Sequence, residues 1–316
     1  MSMESLHTSV LTKEVLKALS VQPDDVVLDA TLGGAGHFAH LLVALGTDGV
    51  IIGIDADAEA VARARASYAE DRRTERPTAH IVNDNFRNLT RVLDRLGIST
   101  VDKMLFDLGW SGYQIAAPRG FSFQKDEPLF MNYGDNGETA ADLVNSASET
   151  ELADIIFTYG EERFARKIAK AIVEARKAER ILTTSQLVAA IKRAVPYFYQ
   201  EGKTHPATKT FQALRIAVND ELAALKEGLA AALARLAPEG RLAVISFHSL
   251  EDRVVKNFFR AAVENGAGTL LAKKPIAPAR AEILANHRAR SAKLRIFQRA
   301  RASAFSPESL AFSSYA

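Results

Sequence analysis

The stretch Val27-Leu28-Asp29-Ala30-Thr31-Leu32-Gly33-Gly34-Ala35-Gly36-His37 decides the fold. An apolar run ends on an acid, three glycines crowd the following turn, and helical spacing of apolar residues begins at Gly36. Strand, turn and helix in that order open a βαβ unit. Glycine in such a turn tolerates positive φ and lets the backbone approach a bound group closely.

The same alternation continues outward. Short β-branched runs at 26–28, 50–54, 80–82 and 103–106 read as four strands, and 36–45, 58–68 and 89–96 between them have helical periodicity. After Asp107-Leu108-Gly109 the pattern stops, and 111–137 is rich in Gly, Pro and aromatic residues. Helices without strands follow at 140–146, 149–159, 161–178 and 185–195, with Ser148 and Thr184 as N-caps of the second and fourth. A long helical run over 208–236 leads to a fifth strand at 241–247. The expected fold is α/β, a parallel sheet domain made from 1–112 and 208–316 with an all-helical insert at 113–207 that recognises the substrate.

Composition removes whole classes of chemistry. The 316 residues carry 40 Lys+Arg against 38 Asp+Glu, 47% hydrophobic and 25% charged residues, so the chain is globular and not a basic coat protein. Zero cysteines exclude disulfides, thiol nucleophiles and Cys-ligated zinc or iron–sulfur centres, and fit a reducing cytosol. Neither a leader nor an apolar stretch of the roughly 18–20 residues a bilayer requires is present, so a cytoplasmic protein with no membrane partner is expected. Charge is patterned locally: 287–301 holds Arg288, Arg290, Lys293, Arg295, Arg299 and Arg301 and no acid, and 163–180 holds seven Lys/Arg.

Polar residues gather where ligands of open α/β sheets bind, beyond the carboxyl ends of the strands. Asp29 disfavours a pyrophosphate and suits a cofactor with a cationic amino-acid end, such as S-adenosylmethionine. Asp55, nineteen residues past Gly36 at the end of the second strand, suits ribose hydroxyls. After the third strand Asp84 is placed for an adenine amine and Phe86 for its ring. Asp107 ends the fourth strand and faces the substrate. Ser246 and His248 end the fifth, where Ser249 as N-cap with Asp252 at N3 is the structural alternative. No G-x-S-x-G elbow supports a Ser-His-Asp hydrolase.

HTSVL at 7–11, DATLGGAGH at 29–37, DLG at 107–109, RGFSF at 119–123, YGEERFARKIAKAI at 159–172, HPATKTFQALRIAVNDEL at 205–222, GRLAVISFHSLEDRVVK at 240–256 and RARSAKLR at 288–295 resemble the bacterial 16S ribosomal RNA cytosine-N4 methyltransferase family. The resemblance implies a Rossmann-like class I methyltransferase sheet, S-adenosylmethionine as donor, and methylation of the cytosine at position 1402 in the decoding centre of the small ribosomal subunit. It puts cofactor contacts on Gly34, Ala35, Gly36, His37, Asp55, Phe86, Asp107 and Gln114. The chain departs from the family at Trp110-Ser111-Gly112-Tyr113-Gln114, where Val-Ser-Ser-Pro-Gln is usual, and at Pro128-Leu129-Phe130-Met131-Asn132-Tyr133, where Pro-Leu-Asp-Met-Arg-Met is usual.

Methylating an exocyclic amine needs alignment and an acceptor that localises the nitrogen lone pair, with no metal. Asp107 is the first candidate for that acceptor, Ser246 and His248 the alternatives. A base drawn from its stack would meet aromatics such as Trp110, Tyr113, Phe121 and Phe123, and rRNA phosphate would meet Arg288, Arg290, Lys293 and Arg295. Two other readings compete: a nicotinamide oxidoreductase, whose G-x-G-x-x-G turn is only partly present, and a non-enzymatic RNA-binding module. A homodimer is left open.

Overall fold

The computed structural model describes residues 9–71, 75–109, 113, 117–133 and 137–301. It divides into two compact units, Met1–Ser111 with Leu222–Ala316, and Gly112–Glu221. In the first, helices α1 (Thr12–Leu19), α2 (Gly36–Ala44), α3 (Ala58–Glu70) and α4 (Leu89–Leu96) alternate with strands β1 (Val26–Asp29), β2 (Val50–Asp55), β3 (Thr78–Asn83) and β4 (Val101–Asp107). The second unit is helical, with α5 (Ala140–Ser146), α6 (Glu149–Gly160), α7 (Ala165–Ala178), α8 (Thr184–Ala194), α9 (Tyr197–Gln200) and α10 (Thr208–Asn219). The chain then completes the first unit through α11 (Glu221–Arg235), β5 (Leu236–Ser246), α12 (Ser249–Glu264), β6 (Gly268–Leu270), α13 (Arg280–Ala285) and β7 (Lys293–Arg299).

One seven-stranded sheet has the order β3-β2-β1-β4-β5-β7-β6. Strands β1 to β5 are parallel, and β7 runs antiparallel to both β5 and β6. The sheet is the expected Rossmann-like sheet, and alternate residues of its strands feed two cores. Leu28, Ile52, Ile54, Met104, Phe106 and Val244 pack with α4, α11 and α12 on one face. Val27, Ile51, Leu105, Ala243, Ile245 and Leu294 pack with α1, α2 and α3 on the other. Both faces are covered, so the strands read as near-continuous apolar runs. The order reverses between β1 and β4, and such a switch point opens a crevice at the carboxyl ends of the strands.

Several expectations need correction. The run over 208–236 is not one helix: Asp220 takes a left-handed φ of 49° and its N–H closes the α10 end on Ala217 and Ile216 carbonyls. The unit boundary falls at Leu222 and not at 208, because α10 packs within the helical unit, where Gln212 and Lys209 side chains donate to the Tyr159 and Glu161 carbonyls. Helix α7 starts at Ala165 and not 161, since Glu161 (φ 49°) terminates α6 and the Glu162 carboxylate accepts the Phe164 N–H. The N-cap of α8 is Thr183 with Gln186 in a capping box, one residue before the expected Thr184. Strands β6 and β7 were not anticipated; β7 occupies the basic segment.

A close approach in the helical unit tests this packing. A Cβ built on Gly160 would lie 2.6 Å from the Lys209 carbonyl oxygen, a backbone atom of α10. Gly160→Ala gains up to about 1 kcal/mol of helix propensity but forces two helices apart, which costs typically 1–3 kcal/mol. Net destabilisation is expected by chemical denaturation; a more stable variant would show that the two helices do not meet there.

Candidate functional site

At the switch point three strands end in carboxylates: β1 in Asp29, β2 in Asp55 and β4 in Asp107. Asp29 Oδ1 accepts the Thr31 N–H at 3.2 Å, while Asp29 Oδ2 and Asp107 Oδ1 are buried with no hydrogen-bond partner. Buried polar atoms without partners are uncommon and call for a physical reason. The Thr31 hydroxyl accepts the Asp107 N–H at 2.6 Å, tying the ends of β1 and β4 across the crevice. Asp55 braces the glycine turn: Oδ2 accepts the Gly33 N–H at 2.6 Å and Oδ1 the Asp57 N–H at 2.8 Å.

The turn itself holds two left-handed residues, Gly33 (φ 50°) and Ala35 (φ 60°). It ends at Gly36, where a Cβ would sit 2.1 Å from Ser9 Oγ, so the chain just before α1 closes directly over the glycine. Ser9 Oγ is itself buried without a partner. Thr31, Gly34, Gly36, His37, Asp107 and Ser9 line one narrow cleft here. His37 is 5% exposed, with Nε2 3.5 Å from Asp107 Oδ2.

Burial dominates the electrostatics. It pushes the Asp107 carboxyl up to about 7, with the Glu251 charge adding to the rise, and Asp55 up to about 6. Asp29 lies well above the usual carboxylate range for the same reason, with Asp107 and Asp55 adding to it. Three acids that resist ionisation together create a place where a cation is welcome.

The end of β5 is differently engaged. Ser246 is 2% exposed, its hydroxyl 3.5 Å from the Lys293 carbonyl. His248, not Ser249, is the N-cap of α12, and Glu251, not Asp252, is its N3 partner. His248 Nδ1 accepts the Glu251 N–H at 3.4 Å, and Nε2 lies 3.1 Å from Glu251 Oε1. Glu251 Oε2 accepts the Phe247 and His248 N–H groups at 2.7 and 3.2 Å. Asp252 holds Lys293 Nζ at 3.0 Å and Arg295 Nε at 2.7 Å, and these cations outweigh burial to keep its carboxyl below the usual range.

Beyond β3, Asp84 does not stand open for an amine. Burial would raise its carboxyl, but the Asn88 amide and Arg91 outweigh that and hold it below the usual range, with Arg95 also 3.0 Å away. Phe86 packs edge-on against Phe106 at 5.5 Å and fills the space left by Gly228. Of the basic tail, Arg288 and Arg290 are exposed on a short 3-10 turn, whereas Lys293 and Arg295 belong to β7. Phe121 is buried against Tyr133 and Phe123 stacks on His205, both inside the helical unit. Trp110 and Gln114 lie outside the described residues. Sequence reasoning missed Ser9, Thr31 and Glu251; each sits within a stretch already singled out, but the roles depend on contacts between strand ends.

The raised carboxyls make stability depend on pH in a stated direction. A carboxyl whose folded value exceeds its unfolded value of about 4 is protonated in the native state while ionised in the unfolded chain, so stability falls as pH rises from about 4 to about 7. Asp107→Asn removes one such group. Without ligand, the variant is expected to gain on the wild type as pH rises from about 4 to about 7, by up to about 1.4 kcal/mol per pH unit. Parallel pH profiles of thermal stability would show that Asp107 is ionised throughout.

A family model described as the MraW methylase family matches residues 4–300. The ribosomal RNA small subunit methyltransferase H of Deinococcus radiodurans is 49% identical over 297 residues, covering 94% of this chain and 90% of that protein. The proteins of the same name from Syntrophotalea carbinolica and Citrifermentans bemidjiense are each 46% identical, over 313 and 310 residues, covering 93% of this chain and 98% of theirs. With the strand-end acids and glycine turn inside that matched span, the chain belongs to the MraW methylase family.

Proposed function

We propose that this methyltransferase carries a methyl group from S-adenosylmethionine to the N4 amine of a cytosine in 16S rRNA, acting in the cytoplasm on the small ribosomal subunit. The observation that carries the reading is the crevice between β1 and β4, where Asp29 and Asp107 keep unpartnered buried oxygens beside a glycine turn. A donor whose amino-acid end is cationic supplies the charge those oxygens lack.

When bound, S-adenosylmethionine supplies an activated methyl on a sulfonium. The remaining work belongs to this chain. Gly34, Ala35, Gly36 and His37 form the turn against which the amino-acid end rests, Asp55 presents its spare lone pairs to the ribose, and Phe86 offers an apolar face to the base. Gln114 is assigned to the same group of contacts by the family motif. Asp107 is the acceptor for the cytosine N4 proton. Its competitors are already engaged: His248 uses both ring nitrogens toward Glu251, and Ser246 is buried against Lys293. An amine that donates to Asp107 has its lone pair localised and aimed, and the charge developing on nitrogen is stabilised in a water-poor site. The helical unit recognises RNA. No described helix is long and apolar enough to cross a membrane.

Labelled S-adenosylmethionine incubated with small subunits, followed by mapping of the labelled nucleotide, tests the reading. Label on a cytosine N4 is expected; binding of a nicotinamide cofactor without methyl transfer would overturn it. Asp107→Asn should lower the single-turnover rate at saturating donor and RNA by orders of magnitude while weakening donor binding less. A wild-type rate at saturation would make Asp107 a binding residue only.

The basic tail divides into two roles. Arg288→Ala with Arg290→Ala should flatten the salt dependence of RNA binding by about one slope unit per lost phosphate contact. Arg295→Ala should instead lower stability, because it strips a cation from half-buried Asp252. Equal effects of the two changes on both measurements would refute the division.

A further inference from the structure

The helical unit carries an aromatic and basic surface patch that the transfer chemistry does not use. Helix α9 is a single turn, Tyr197–Gln200, following Pro196. Two of its rings face solvent: Tyr197 is 76% exposed and Phe198 67%. The third, Tyr199, is fixed, because its hydroxyl donates to Glu162 and its ring meets Phe164 edge-on at 5.0 Å. Glu162 is fully buried, and its other oxygen accepts the Phe164 N–H at 2.8 Å.

Cations surround these rings. The Arg163 guanidinium lies 4.8 Å from the Phe164 ring centre, 4.9 Å from Tyr199 and 5.9 Å from Phe198. Lys167 Nζ lies 5.8 Å from Phe164. Arg163, Arg166, Lys167 and Lys170 are all exposed at helical spacing along one stripe. The acids at the surface beside these bases, Glu161, Glu174 and Glu201, are fewer than the four bases, so the patch is net positive.

Exposed planar rings are costly on a soluble surface unless something covers them. An apolar protein surface would satisfy the rings alone. A polyanion would satisfy the bases alone. Single-stranded RNA satisfies both, since its bases stack on aromatic or guanidinium planes while its phosphates meet the flanking charges.

We propose that Tyr197 and Phe198, flanked by Arg163, Arg166, Lys167 and Lys170, form a stacking site for unpaired bases of a single-stranded RNA segment. The inference rests on the reading of the protein as an rRNA methyltransferase, and it assigns one RNA contact surface to a specific part of the helical unit. Arg163, held by Tyr199 and Phe164, is the fixed plane, and Tyr197 and Phe198 are the open ones.

The test compares full-length wild type with Tyr197→Ala/Phe198→Ala, Phe198→Trp and Phe198→Leu, all at exposed positions. An unstructured pyrimidine oligoribonucleotide and an abasic oligomer of equal length are the probes. The double variant is expected to lose roughly tenfold or more in oligoribonucleotide affinity, with abasic binding and S-adenosylmethionine affinity unchanged. Phe198→Trp should bind as wild type with its added indole fluorescence quenched, and Phe198→Leu should lose affinity despite keeping an apolar side chain. Unchanged oligoribonucleotide affinity in the double variant overturns the proposal. So does a self-associating wild type that the double variant converts to monomer with RNA affinity intact, which would make the patch a protein interface. Methyl transfer to small-subunit rRNA, measured alongside, separates the two levels: if the wild type transfers none while the stacking pattern holds, the functional reading fails and the site stands.

Discussion

Burying three carboxylates at neighbouring strand ends is the constraint on which the site depends. Asp29, Asp55 and Asp107 end β1, β2 and β4, and desolvation opposes the charge of each. Desolvation makes charge costly there, and only part of their hydrogen-bonding capacity is met by the backbone. The sheet order makes the cluster unavoidable, since β2, β1 and β4 are adjacent and parallel and all deliver their carboxyl ends to one edge. A fold that only needed stability would place apolar or hydrogen-bonded residues there.

The rest of the first unit supports this arrangement. Two apolar cores hold the sheet from both faces and fix where the strands stop. Thr31 links the β1 and β4 ends, Asp55 links the glycine turn to β2, and Ser9 closes over Gly36. Glu251 secures the turn after β5 through two backbone N–H groups and the His248 ring, and its charge also discourages ionisation of Asp107. The site is therefore positioned by secondary-structure ends and by backbone hydrogen bonds, which leaves little rotational freedom in its carboxylates.

The first four strands and their helices were legible because period and punctuation agreed. Val26-Val27-Leu28-Asp29 and Val50-Ile51-Ile52-Gly53-Ile54-Asp55 are apolar runs closed by an acid, and α4 and α5 matched the expected bounds residue for residue. The final strand was not legible as one. Lys293-Leu294-Arg295-Ile296-Phe297 alternates with period two, but its charges invited a reading as phosphate ligands, and only pairing with β5 shows that Arg295 and Lys293 meet Asp252. The break at Asp220 was hidden because no glycine or proline marks it, and an aspartate in the left-handed region does the same job. At the candidate site, the acids and glycines were visible as residue types at strand ends. Which of their oxygens lacks a partner, and whether His248 is free or capping, is a matter of distances that no spacing encodes.

Burial makes the strand-end acids hold protons up to near-neutral pH, and a cationic donor would draw those protons off on binding. This coupling is tested most directly by calorimetry of S-adenosylmethionine binding near pH 6.5 in buffers of different ionisation enthalpy. Ionisation of Asp55 and Asp107 on binding predicts net release of protons to the buffer and an affinity that weakens as pH falls below about 7, with the release reduced in Asp107→Asn. Binding with no proton exchange and an affinity flat from pH 5 to pH 8 would contradict the account.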